Sequence, residues 1–597
     1  MGAILEKAMT FTRAFLVFLS LSSALMRAQD AAGALAGIWE SSVDSGPLAG
    51  GELIIDGRGA TWRAAIGGFQ VDVKRDKDSV RFSLPGDQGE FRGRLDADAR
   101  GINGDWIQPA NILRNNRYTT PVHLSAAGAN VWRGDAAPLN DRYSFYVSVT
   151  RAPDGSLAAF ITSPETNFFR RRKYKVELSG AAVTFTAKGQ KLEGDFDSKN
   201  DTLTLRLVDF MPPFRFKRDK ENSAIGFYPR IVRDPKGYVY RPPIAGNDGW
   251  RTASLREAGI DEKPIAALIE KILNADPGDN SVYMHSLLIA RHGKLALEEY
   301  FYGFNAERPH DTRSAGKTYA PMLAGIAHDH GAKLDANTPV YSLFPQYKSF
   351  ANWDDRKKKM TVRDVMTMTA GNSCDDNEDS SPGNEDRMQN QDEQPDWYKY
   401  TLDLPMLRDP GGEHAIYCSG DLNLVGGIVA SVTGKWLPEF FDQYVARPLQ
   451  FHAYHLNLTP TKEMYTGGGA YIRPRDELKL GQVYLDGGMW NGRRIVSKDW
   501  VDQSTAHQSS FAPQLPGEGE HQYGYGWHIH HLKSGDREYR DFAAGGNGGQ
   551  FVIVIPDLDL VIGINGGSYG EFTKWYRWEL ELVPQYIIPA AAGARSR

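Results

Sequence analysis

The chain has 597 residues, with 69 basic and 74 acidic side chains giving a net charge of −5. That length exceeds one ordinary hydrophobic core and points to several domains. A composition of 41% hydrophobic and 24% charged residues excludes a fibrous repeat or a mostly disordered chain, and the charge balance gives no global pull toward nucleic acid or an anionic membrane.

Residues 1–28 read as a secretory signal peptide. Residues 14–26 (AFLVFLSLSSALM) form an apolar run behind Arg13. The run is too short to cross a bilayer, and small residues follow it at cleavage positions after Ala24 or Ala28. Glu6 is out of place in such a segment, and a start at Met9 would give a cleaner signal. The expected localisation is exported, periplasmic or secreted, and no later stretch reads as a stable membrane span. In an oxidising compartment the two cysteines, Cys374 and Cys418, can pair, and a disulfide between them is expected.

From 35 to 220 the pattern is antiparallel β, a sandwich or barrel. Alternating runs recur at 51–55, 69–73, 80–84, 143–150, 174–178, 183–187 and 202–207, punctuated by Gly, Asp and Asn. The region reads as duplicated. Val80-Arg-Phe82 precedes Phe91-Arg-Gly93-Arg-Leu95-Asp96, and Val183-Thr-Phe185 precedes Leu192-Glu-Gly194-Asp-Phe196-Asp197. Gly37-Ile-Trp39 resembles the opening of lipocalin-like barrels. Residues 221–250, rich in Pro, Gly and Arg, read as a linker.

From 251 to 590 the character is mixed α/β. Runs at 286–291 and 294–302 flank His292-Gly293 and predict a hairpin. A helix is predicted over 314–330, with Leu323, Ile326 and Ala327 on its apolar stripe and Gly331 as its cap. Another is predicted over 422–433. A second hairpin, 551–555 with 560–565, is followed by a final helix over 571–587 anchored by Trp575, Tyr576 and Trp578.

Three motifs carry chemistry. Ser314-Ala-Gly-Lys317 is the only S-x-x-K in the chain. On a helix, positions i and i+3 share a face, so hydroxyl and amine can meet near amides that favour developing negative charge. A serine needs a base, and a lysine serves if burial lowers its pKa. Tyr417-Cys-Ser419 offers a phenol to relay protons. If extended, it points Tyr417 and Ser419 one way and Cys418 the other. Ala544-Gly-Gly-Asn-Gly-Gly-Gln550 lets backbone approach a ligand and offers amides for an oxyanion.

In this order the three motifs resemble the serine β-lactamase-like, penicillin-binding-protein-like hydrolases: class C β-lactamases, D-stereospecific peptidases, family VIII-type carboxylesterases and 6-aminohexanoate-oligomer hydrolases. Met366-Thr-Met-Thr-Ala-Gly371, Gly467-Gly-Gly-Ala-Tyr471, Tyr484-Leu-Asp-Gly-Gly488 with Trp490-Asn-Gly492, and Tyr523-Gly-Tyr-Gly-Trp527 also resemble that family. The resemblance spans about 255–587. It implies an antiparallel sheet flanked by helices, with Ser314 as acyl-enzyme nucleophile, Lys317 as base and Tyr417 as proton relay. The amides of Ser314 and Asn547 would form the oxyanion hole, with Gly546, Ser419 and Ala544 as further substrate-binding positions. Two positions depart from the pattern. Ser419 stands where the family has Asn, and Ala544 where it has Lys or His; Arg473 or Arg475 could replace the lost charge.

The stretch 374–396 is strongly acidic. Its Asp375, Asn377 and Asp379 begin a calcium-loop spacing that fails at Ser380 and Asp386, so it reads as a solvated loop beside the site. The histidines show no paired spacing, and neither a metal nor a cofactor is indicated. The expected function is an exported serine hydrolase acting on an ester or amide in a small-molecule or peptide-like substrate. Alternatives are a catalytically silent sensor on the same fold or a cell-wall D-peptidase.

Overall fold

The computed structural model describes residues 33–593 except 45–47, 111–115, 141, 168, 170–171, 209–210, 221–224, 231–236, 277, 279–281, 391–393 and 517. The expected signal peptide lies outside the described residues. The chain divides into two units, one of residues 1–43, 142–233 and 275–280, the other of 44–141, 234–274 and 281–597. The β-rich stretch of the sequence is shared between them.

The first unit is a closed barrel of eight strands: Gly37–Asp44, Arg142–Arg151, Leu157–Thr162, Lys173–Ser179, Ala182–Ala187, Gln190–Asp197, Thr202–Leu205 and Phe214–Arg218. Strand alternation turns Val147, Ile161, Tyr174, Phe185, Leu192, Phe196, Leu203 and Phe216 inward, where all are buried. Trp39 of the G-x-W opening is fully buried, edge-on to Phe196 and under the Arg218 guanidinium.

The second unit begins with nine antiparallel strands between Gly51 and Ala136, arranged around the long strand Arg117–Gly128. The duplication seen in the sequence has a structural counterpart in register. Val80 faces Gly93 and Phe82 faces Phe91 in one hairpin; Val183 faces Gly194 and Phe185 faces Leu192 in the barrel. The glycine leaves room for its neighbours in each case. A Cβ on Gly194 would lie 1.8 Å from the Thr204 carbonyl oxygen, and one on Gly104, which pairs with Gly93, 2.4 Å from that of Arg92.

Strand Arg117–Gly128 does more than its counterparts. Its first residues pair with Tyr454–Leu458, Thr119 opposite Leu456. That strand pairs with Tyr471–Ile472, and Tyr471–Ile472 with His310–Asp311. Thr120 Oγ1 and His455 Nδ1 lie 2.7 Å apart, and Tyr118 packs edge-on against Tyr471.

A separate sheet runs Arg251–Thr252, Lys294–Tyr300, Met284–Arg291, Leu560–Gly566, Gln550–Ile555, Phe542–Gly546, His528–Ile529, His521–Tyr523, Ser509–Phe511, antiparallel except at its first pair. Both predicted hairpins are present, and His292 and Gly293 adopt positive φ in the tight turn of the first. The helix Pro474–Leu485 packs on one face of the sheet, and the helices Tyr319–Asp329 and Ser419–Thr433 pack together. The C-terminal segment differs from a plain helix. A short helix, Phe572–Trp575, leads into a wider π-helical stretch, Trp578–Ile587, because Pro584 inside it cannot donate the regular hydrogen bond.

Candidate active site

The turn that carries Ser314 hangs directly from the strand relay. Thr312 N donates to Ala470 O at 2.8 Å, and Gly469 N to Arg313 O at 3.0 Å. A Cβ on Gly468 would stand 2.7 Å from the Arg313 carbonyl oxygen, so the glycine run after Tyr465 is what lets this backbone approach. Arg313 has φ 47°. The chain then makes a 3-10 turn, Arg313–Thr318, and becomes α-helical only at Tyr319. The predicted helix start at Ser314 is thus the tighter form, in which residues i and i+3 eclipse. Lys317 Nζ donates to Ser314 Oγ at 2.8 Å. Ser314 is partly exposed and Lys317 is buried.

Burial alone would lower the Lys317 pKa, as the sequence led us to expect. The nearby Tyr417, Glu385 and Asp376 outweigh it and hold the amine above the ordinary lysine range. The Lys317 amine lies 5.0 Å from the Tyr417 ring centroid.

The Tyr417 loop is fixed from two sides. Ile416 N donates to Met368 O and Gly411 N to Thr369 O, so the stretch 366–371 is its scaffold. Cys374 and Cys418 form a disulfide with α-carbons 5.5 Å apart. Cys418 is extended, as expected, and caps the helix Ser419–Thr433. Ser419 is fully buried, and its amide and hydroxyl both donate to Asp376 Oδ2 at 2.7 Å. The acidic loop is therefore only partly a solvated one. Residues 377–380 are exposed, but Asp376 turns inward. Its other oxygen accepts from Glu385 N at 2.9 Å, and Glu385 itself accepts from Tyr465. Desolvation, then the Glu385 charge, push Asp376 up to about 7. Sequence reasoning missed Asp376. Its position two residues after Cys374 was the available signal, because the disulfide brings it beside Ser419.

On the opposite side the strand Phe542–Gly546 passes Ser314. A Cβ on Gly546 would lie 3.1 Å from Ser314 N and 2.9 Å from Ala315 N, so only glycine fits there. Asn547, next in sequence, is exposed, and its side-chain oxygen accepts from Gly570 N at 2.9 Å. Ala544 is fully buried in the hydrophobic core and offers no surface to a substrate. Arg473 is paired with Asp476 and Glu307, and Arg475 with Glu298 and Asp248; both cations are already neutralised.

A helix-flanked antiparallel sheet with a Ser–Lys pair on the turn that opens a buried helix is the arrangement of a β-lactamase-like fold. The family model described as Beta-lactamase matches residues 270–571, and the chain belongs to that family. The 6-aminohexanoate-dimer hydrolase of Paenarthrobacter ureafaciens is 27% identical over 270 residues, covering 42% of this chain and 66% of that protein. The chain thus spans just under two thirds of the length of this curated relative. Among solved structures, a penicillin-binding protein homolog from Caulobacter crescentus is 15% identical with a TM-score of 0.40, covering 54% of this chain and 93% of its own. A family VIII carboxylesterase is 17% identical with a TM-score of 0.40, covering 58% and 98%.

Proposed function

We propose that this protein is an exported serine hydrolase that cleaves an ester or simple amide through an acyl-enzyme on Ser314. The observation that carries the proposal is the 2.8 Å contact of Lys317 Nζ with Ser314 Oγ beside the glycine strand. Ser314 Oγ attacks the carbonyl carbon, and the oxyanion takes hydrogen bonds from the amides of Ser314 and Asn547. For Ser314 to give up its proton, the Lys317 ammonium must first release one of its own. Tyr417, against Lys317, carries that proton and delivers it to the leaving group. Water then attacks the ester on Ser314 and restores the hydroxyl.

The same residues argue against a β-lactam substrate. Ala544 brings no charge, Ser419 is engaged by Asp376, and Arg473 and Arg475 are paired elsewhere. A missing charge-assisted hydrogen bond lowers discrimination by roughly tenfold or more. The curated relative, named for hydrolysis of a 6-aminohexanoate dimer, supports an amide as the alternative to an ester. A fluorophosphonate probe should label wild type and not Ser314→Ala, whereas a silent homologue would not label at all. Catalytic efficiency on short-chain aryl esters should exceed that on a chromogenic cephalosporin, and the reverse order would refute the substrate assignment.

A further inference from the structure

Away from Ser314, a second group of titratable side chains converges in the core of the same unit. His530 follows the strand His528–Ile529, Asp541 precedes the strand Phe542–Gly546, and Glu579 lies on the C-terminal stretch Trp578–Ile587. All three are at least 97% buried, with exposures of 3%, 0% and 1%. One ligating atom from each lies within 4.8 Å of the others, and His530 Nδ1 is 3.4 Å from Glu579 Oε1. His530 Nδ1, Asp541 Oδ2 and Glu579 Oε1 are buried polar atoms that meet no partner outside this group of three. Such atoms are costly to leave unpaired, and two facing carboxylates more so.

The other side of His530 is fully built. Tyr576 donates its hydroxyl proton to Glu518 Oε1 at 2.6 Å. That uses the only phenolic proton, so at 3.1 Å the phenol oxygen accepts from His530 Nε2–H. Once its Nδ1 proton is displaced, His530 points that nitrogen's lone pair toward the Glu579 and Asp541 carboxylates. A histidine that binds a metal through one nitrogen has its other nitrogen anchored in this way.

We propose that His530 Nδ1, Asp541 and Glu579 form a structural site for a divalent transition-metal ion of the zinc class. One imidazole and two carboxylates suit zinc in chemistry and neutralise its charge. Ligand atoms about 2.0–2.2 Å from zinc stand ~3.4 Å apart in a tetrahedral shell, close to the His530–Glu579 separation. The ion would tie the start of the strand that passes Ser314 to the C-terminal stretch. Trp578, beside Glu579, already packs on Gly549 at the far end of that glycine run.

Protons are the competing occupant. Burial works against a charged His530, but Glu579, Glu518 and Asp541 hold its pKa well above the usual histidine range, and Asp541 is pushed well up by burial and then by Glu579. The full-length protein, stripped with a chelator and titrated with Zn2+ at neutral pH, separates the two. The expected result is one equivalent bound by calorimetry, a melting temperature raised by several degrees, and at least tenfold weaker binding in Asp541→Asn and Glu579→Gln. These isosteric changes keep the volume, and circular dichroism checks that each variant folds. If wild type binds no stoichiometric zinc, or binds it no better than folded Asp541→Asn with Glu579→Gln, the site holds protons only and the proposal fails.

Discussion

The two β modules share a hairpin pattern and differ in how they end. The barrel returns its last strand, Phe214–Arg218, to its first, Gly37–Asp44, and so consumes its own edges. In the other module the neighbour Val131–Ala136 reaches the long strand Arg117–Gly128 only at its far end, from Ser125 onward. The uncovered residues 117–119 take Tyr454–Leu458 instead. From there the relay of strands ends at Asp311, three residues before Ser314. Similar local sequences therefore make one self-contained module and one built into the unit that carries Ser314. The difference lies in strand length, not in the hairpins.

The comparison breaks most severely at the end of that relay. Ser314→Ala and Lys317→Ala should each remove roughly four to six orders of magnitude of turnover, because nucleophile and base act as one unit. Initial rates on an aryl ester measure this, and retained turnover would move the activity elsewhere in the chain. The disulfide offers the next largest effect. It closes a separation of 44 residues in the catalytic unit, and the barrel has no crosslink. Reduction should destabilise only the catalytic unit, by about 4 kcal/mol in the chain-entropy account. Calorimetric melts with and without reductant would show one transition moving, and thiol titration of the unreduced, unfolded protein should find none.

Paired glycine substitutions sharpen the comparison directly. Gly194→Ala and Gly104→Ala each push a Cβ into a neighbouring carbonyl, costing about 1–3 kcal/mol by overpacking. Gly104→Ala should lower ester turnover together with stability, since its module leads to Ser314. Gly194→Ala should lower stability and leave kcat/KM unchanged. Equal kinetic losses would mean that the barrel also supports the site.

The smallest effect is on pH. Asp376 titrates near 7 in the folded protein against an ordinary 3.8, so the folded state holds its proton more tightly. Stability from this group is present below about 4 and is lost as pH rises through about 7. Asp376→Asn should flatten that part of the stability profile, as read in denaturant midpoints from pH 4 to 8. It also removes a charge that favours the Lys317 ammonium. The acid limb of kcat/KM should therefore move to lower pH, and a move to higher pH would exclude Asp376 as a neighbour that tunes Lys317.

What the chain settles locally was legible from the chain alone. The S-x-x-K pair, the two hairpins around 292–293 and 556–559, and the shared V-x-F pattern of the two modules all depend on neighbours a few residues apart. The cysteine pair was legible because there were only two partners to choose. Long-range packing decided the rest. The opening turn is a 3-10 turn that Gly468, having no Cβ, can approach closely at Arg313, and Ser419 faces Asp376 because the disulfide brings the acidic loop there. The Lys317 amine is held above the ordinary lysine range, despite its burial, by Tyr417 and then by Glu385 and Asp376 of the acidic loop, a sum of fields that no local spacing encodes. His530, Asp541 and Glu579 meet across three elements without any motif, since burial in a folded core, and not sequence distance, sets which polar atoms must find each other.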